Sequence, residues 1–204
     1  MKKKETNPII VGNKGNKNKI ITLANLSNGY IRNNDLITKG IPTIYLSRLV
    51  KEGTIRKVYK GVYLVNGCIE DELYTFQLRY KYIAYSKRSA LYLNHLSNRM
   101  IDVIDVNIPK KYQIKSHSFR INRVSDTKYN IGRVALKTEF GNEIMTYDIE
   151  RCVCNLFIDD CYDNEEIKYA INAFFKLKYD PDKLLNYAKA LGVEDKIGTI
   201  LAIG

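Results

Sequence analysis

Residues 29–65 read GYIRNNDLITKGIPTIYLSRLVKEGTIRKVYKGVYLV, and the order of starts and stops in this stretch decides the fold. Asn33 offers a side-chain oxygen to cap a brief helix over 34–39. Gly40 ends it, because glycine enters the left-handed backbone region after a helix at little cost. Pro42 or Thr43 opens the next helix, which runs to about Glu52 and stops at Gly53. The β-branched and aromatic residues of 54–58 and 62–65 flank Tyr59-Lys60-Gly61 and predict a hairpin with glycine at its turn. Upstream, Ile20, Ile21, Leu23, Ala24 and Leu26 form a helix-like cluster ending near Gly29. Two short helices, a tight turn, a helix and a basic-tipped hairpin spell a winged helix-turn-helix.

The helix over 43–52 has two separable faces. Leu46, Leu49, Val50 and Gly53 recur at three- and four-residue steps and predict an inward stripe. Ile44, Ser47, Arg48 and Lys51 share another face, offering an apolar group, a hydroxyl, a guanidinium and an ammonium. A helix of this width enters the major groove of duplex DNA, where Arg48 can bond a guanine edge or a phosphate. Arg56, Lys57 and Lys60 on the wing would sit beside the phosphate backbone or the minor groove.

Charge points the same way. The 204-residue chain carries a net charge of +11, and the excess is graded. Residues 1–65 hold 13 Lys/Arg against 3 Asp/Glu, residues 66–140 hold 13 against 7, and residues 141–204 hold 7 against 12. Polyanions attract such a basic end by Coulomb force and by counterion release. The bias survives removal of the Lys-rich first 19 residues: Arg32, Lys39, Arg48, Lys51, Arg56, Lys57 and Lys60 still face only Asp35 and Glu52 up to residue 65. Gly and Pro total 16 (12 and 4), which excludes a collagen-like or Pro-rich chain. No apolar run nears the ~18 residues of a membrane span, and Pro8-Ile9-Ile10-Val11 is too short for a signal peptide. A cytoplasmic protein with no membrane association is expected.

Residues 1–17, rich in Lys, Asn and Gly, predict a disordered basic arm. The winged helix-turn-helix is expected over 18–68, and a C-terminal domain over 69–204, where composition turns from basic to mixed. In that domain Glu70-Asp71-Glu72 opens a helix carrying Leu73, Phe76, Leu78 and Tyr80, its first-turn acids favouring the helix dipole. Ser86 caps a helix containing Ala90, Leu91 and Leu93. Strands are expected over 101–108, 118–124 and 131–136. From 141 the chain is expected to turn helical, with starts at Asp148, Asn164 and Asp180-Pro181, a last short helix after Val193, and an inward face of Ile167, Ile171, Phe174 and Phe175. The fold class is therefore α+β, an N-terminal winged helix-turn-helix followed by a mixed α/β C-terminal domain ending in a helical region.

No cofactor or metal is expected. Cys68, Cys152, Cys154 and Cys161 lack the paired spacing of a zinc site, and His95 and His117 are isolated, so the cysteines read as reduced, mostly buried small hydrophobes. Neither G-x-x-x-x-G-K-[ST] nor G-x-G-x-x-G occurs. Ser86, Ser89 and His95 lack an orienting third group. Asp102 and Asp105, three apart on one expected strand, would point to opposite faces. Asp159-Asp160 sits at a helix end. Lys137 and Glu139 are the nearest approach to a nuclease pair. The chain reads as a non-enzyme, with a nucleic-acid-processing enzyme carrying a winged-helix targeting module as the alternative.

The stretch 29–65 resembles the N-terminal winged helix of the AbiEi antitoxin family, the antitoxins of type IV toxin–antitoxin systems first named for phage abortive infection. The resemblance continues through YSKRSALYLNHLSNR (85–99), IDVIDVNIP (101–109) and TYDIERCVCNLF (146–157), and so spans roughly residues 20–160. It departs at Asn94-His95, where the family commonly has His-Gly after A-L-x-L. The resemblance implies a two-domain transcriptional repressor that binds inverted repeats in double-stranded DNA upstream of its own operon. It further implies a nucleotidyltransferase-like toxin, opposed without a stable complex, and an antitoxin role for the C-terminal domain. Thr43, Ser47, Arg48 and Lys51 match the recognition helix; Arg56, Lys57 and Lys60 match the wing. With Arg32 and Ile44 they make up the candidate DNA-binding set. Lys87, Arg88, Lys110, Lys111, Lys115, Arg120 and Arg123 form a second basic set for DNA or for whatever the toxin acts on. A monomer or a weak dimer, cooperative on DNA, is expected.

Overall fold

A computed structural model describes residues 15–114, 119–158 and 161–203. The chain divides into two units, one running to Arg79 and taking in Lys137–Glu143, the other comprising Tyr80–Leu136 and the residues from Ile144. The fold is α+β, as the sequence predicts.

In the first unit, α1 (Asn16–Asn25) buries Ile20, Ile21 and Ala24. Of the arm expected over 1–17, residues 1–14 lie outside the described residues, while Asn16 and Lys17 already belong to α1. Gly29 then turns the chain at φ +87°, and a Cβ there would lie 2.7 Å from Cys68 Sγ, so both conformation and space require glycine. After it come β1 (Tyr30–Arg32), α2 (Asn33–Thr38), α3 (Ile44–Lys51), β2 (Ile55–Tyr59) and β3 (Val62–Val65). The helices are closed by Gly40 and Gly53, both at positive φ. The three strands form an antiparallel sheet in the order β1-β3-β2. Arg32, whose backbone is extended at φ −113° and ψ 142°, and not Asn33, is the N-cap of α2, and the Asn33 N–H is taken by Gly61 O at 2.9 Å. That bond ties the wing turn to the start of α2.

The unit continues past residue 68, where the change in composition places the boundary. Helix α4 (Glu72–Arg79) belongs to it because Tyr30 holds it there. The Tyr30 and Tyr74 rings meet edge to face at 4.9 Å, and the Tyr30 hydroxyl accepts from Asp71 N at 2.9 Å. Composition shifts several residues before packing does.

In the second unit, β4 (Ala84–Tyr85) pairs antiparallel with β5 (Ile104–Pro109), which pairs parallel with β6 (Phe119–Val124). Helix α5 (Lys87–Leu93) starts at Ser86, whose hydroxyl makes no capping bond. Then follow α6 (Asp126–Asn130), β7 (Arg133–Lys137), β8 (Glu143–Tyr147), α7 (Ile149–Asn155), α8 (Asn164–Phe174), α9 (Pro181–Leu191) and α10 (Glu194–Ile203). The chain is not yet helical at 141: Glu143–Tyr147 is a strand paired with β7. N-capping is done by side chains at Asp148, Asp163 and Asp180, each accepting from the third residue beyond it. Asp163 and Glu166 complete a capping box, so the cap is one residue before the expected Asn164.

Helix α7 lies in the middle of this core and is buried from Glu150 to Asn155. Around it pack Leu91, Tyr147, Ala170, Phe174, Leu184 and Ala188. The segment Asp148-Ile149-Glu150-Arg151 organises the core through its charges. The Glu150 carboxylate accepts from Asp180 N and from Lys183 Nζ, each at 3.0 Å. Lys183 also lies 3.0 Å from Asp148. Desolvation opposes its ammonium, but the hydrogen bonds with Asp148 and Glu150 lift its pKa above the ordinary lysine value.

Candidate nucleic-acid interface

Helix α3 buries Leu46 and Leu49 and leaves its other side to solvent. Val50 and Gly53, expected inward, are exposed. Tyr45, one turn before Leu49, instead completes the packed stripe. The outward face carries Ile44, Ser47, Arg48 and Lys51, all exposed, with Thr43 at the N-cap. Thr43 makes no side-chain capping bond. Arg48 leans on the Tyr45 ring, its guanidinium carbon 5.3 Å from the centroid. Among the described residues neither Arg48 nor Lys51 has a carboxylate within ion-pair distance.

The wing continues this cationic surface. Lys57 and Lys60 are exposed, and a register irregularity between Lys57 and Tyr59 bends the strand before its tip. Two residues of the expected set are engaged internally. Arg32 makes two hydrogen bonds to Asp35, at 2.8 and 2.7 Å. Arg56 donates to Cys68 O at 3.3 Å and lies 3.9 Å from Glu70. The available face is thus Thr43, Ile44, Ser47, Arg48 and Lys51 with Lys57 and Lys60, a combination able to bond phosphate oxygens and base edges.

The second basic set does not form one surface. Arg88 grips Glu166 through two bonds of 2.7 and 2.8 Å and also donates to Cys161 O. That bonding holds the Glu166 carboxyl below the ordinary glutamate range. Arg120 pairs with buried Asp105 at 3.2 Å, and Lys111 with Asp126 at 3.0 Å. Burial raises the Asp105 carboxyl, against the pull of Arg120. Lys110 is exposed on its own turn, and Lys115 lies outside the described residues. Arg88 and Arg120 line one cleft with Arg99, and Lys87 and Arg123 line another, together with Lys128 and Arg151, which the sequence pattern did not single out. The pairing of Asn107 with Asn122 across β5 and β6, and the i, i+4 spacing of Arg151 and Asn155, are the signals that mark this cleft.

The remaining chemistry is sparse. Among the described residues no three His, Cys, Asp or Glu gather to hold a metal. Asp102 precedes β5 instead of lying on it, Lys137 and Glu139 are both exposed, and Asp159-Asp160 falls outside the described residues. Cys68, Cys152 and Cys154 are buried free thiols. Burial pushes Cys154 up to about 12, so it stays protonated. No described helix is long and apolar enough to cross a membrane.

A three-stranded sheet with a recognition-type helix and a lysine-bearing hairpin defines the winged helix-turn-helix class. Residues 18–66, from α1 through β3, match the family model described as "Transcriptional regulator, AbiEi antitoxin". The segments at 85–99, 101–109 and 146–157 that extend the resemblance lie beyond that match. No curated protein matches the chain. The crystal structure of the RV2827C protein from Mycobacterium tuberculosis is similar at a TM-score of 0.48 and 13% identity, over 90% of this chain and 79% of that one.

Proposed function

We propose that the protein is the antitoxin of a type IV toxin–antitoxin, abortive-infection system, and that it represses its own operon. Helix α3 enters the major groove of inverted repeats upstream of that operon, with Thr43, Ser47, Arg48 and Lys51 toward base edges and phosphates. Lys57 and Lys60 hold the flanking backbone, with Arg32 and Arg56 as secondary contacts released from Asp35 and Glu70. The C-terminal unit opposes a nucleotidyltransferase-like toxin without a stable complex. The observation that carries this reading is the unpaired cationic face of α3, inside the segment that matches a family of transcriptional regulators.

The direct test is the double variant Arg48→Ala/Lys51→Ala. Both side chains are exposed, so folding should be unaffected, while affinity for the upstream DNA should fall at least about tenfold, one bidentate base or phosphate contact being worth about 1–3 kcal/mol. Unchanged binding by a folded double variant would remove α3 as the recognition helix.

A further inference from the structure

The second unit contains a cleft of about 370 Å³ between β6 and α7, a volume in the range of small-molecule sites. Four cationic residues line it, Lys87, Arg123, Lys128 and Arg151, and among the described residues no carboxylate does. By contrast, a neighbouring cleft of similar size sets Arg88, Arg99 and Arg120 against Asp102, Asp105 and Glu166.

Arg151 is the unusual member. It is 2% exposed, and its guanidinium bonds only neutral oxygens: Asn155 Oδ1 at 3.0 Å and the carbonyls of Lys128 and Ile131 at 2.8 Å each. Among the described residues no carboxylate lies within ion-pair distance of it. Desolvation lowers its pKa. Asp148 acts on it only through space, and a buried cation without a directly paired carboxylate is costly unless an anion arrives.

Three amides complete the wall, and two of them, Asn107 and Asn122, face one another across the β5–β6 ladder. The Asn122 amide nitrogen is shielded from solvent and makes no hydrogen bond. Asn155 spends its oxygen on Arg151, leaving its two N–H donors. Ile121, Val124 and Ile158 supply an apolar surface. Bare phosphate would use the cations but leave the amides and the apolar wall idle.

We propose that this cleft binds a nucleoside 5′-phosphate, its phosphate among Lys87, Arg123, Lys128 and Arg151 and its base against the amides and the apolar wall. The nucleotide is either free or the 5′ end of a strand. This site is independent of the α3 face.

Isothermal titration of the full chain with AMP, CMP, GMP and UMP tests it, beside the parent nucleosides, inorganic phosphate and a 5′-phosphorylated tetranucleotide. At least one monophosphate should bind about tenfold or more tightly than its nucleoside and than phosphate, the loss expected when one charge-assisted contact is missing. Arg123→Glu, on an exposed side chain, should weaken that binding about tenfold or more, and Asn122→Leu should weaken the monophosphate while leaving phosphate unchanged. Arg48→Ala/Lys51→Ala should bind the nucleotide as the parent does. A tighter monophosphate than tetranucleotide supports a free ligand, and the reverse supports a strand end. No binding of any nucleotide at millimolar concentration, phosphate binding as tightly as every monophosphate, or an Arg123→Glu variant of unchanged affinity would each overturn the proposal.

Discussion

Asp71 joins α4 to the 137–143 turn of the first unit through one carboxylate. It accepts from Tyr74 N at 3.0 Å, from the Thr138 hydroxyl at 2.6 Å and from the Asn142 amide at 2.8 Å. The sequence assigns Asp71 only a favourable place in a first helical turn, since its partners lie 67 and 71 residues away. Asp71→Ala would leave buried donors unpaired, at about 1–3 kcal/mol for each. Urea unfolding should therefore show a loss of about 3 kcal/mol, with a smaller loss in Asp71→Asn, which keeps an acceptor. Equal stability of Asp71→Ala and the parent would show the network to be slack. Arg48 and Lys51 are the opposite kind of residue. Their helical spacing sufficed to place them on one face, because an amphipathic stripe is a local property. What spacing could not reveal is which cations are already neutralised, and Arg32, Arg56, Arg88 and Arg120 proved to be engaged.

Elements bounded by strong local signals lie close to where the sequence puts them. Gly40 and Gly53 stop α2 and α3, and Asp148 and Asp180 cap α7 and α9. Strands that exist through pairing are different. Tyr30–Arg32 is too short to show alternation and is fixed by β3, and Glu143–Tyr147 is fixed by β7. At this scale the wing yields a prediction: Lys57→Ala/Lys60→Ala should weaken upstream DNA binding and reduce the salt slope by about two, one for each phosphate that is no longer neutralised. An unchanged slope would take the wing off the backbone. The capping box of α8 gives another. Glu166 has its pKa depressed by Arg88 in the folded state, so its contribution is present above the ordinary glutamate range and is lost as pH falls through the folded value. Glu166→Gln should lower the urea midpoint at pH 7, and the gap from the parent should close on acidification. A gap that is constant with pH would rule out the charged pair as its source.

Across the whole molecule, the two units dispose their charges differently. The first unit carries the exposed cations of α3 and the wing around a core of its own. The second engages Arg88, Arg120 and Lys183 with the buried carboxylates of Glu166, Asp105 and Glu150, and keeps a cleft whose charged lining is wholly cationic. The charge gradient was plain in the composition. The unit boundary was not, because Asp71 and Tyr30 draw α4 and the 137–143 turn into the first unit. Fluorescence anisotropy with DNA from upstream of the gene, beside a scrambled duplex at about 50 and 200 mM salt, tests the central claim most directly. An autorepressor binds its own DNA in preference to the scramble at both salts and weakens steeply between them. Equal binding to the two duplexes, or none to either, would contradict it.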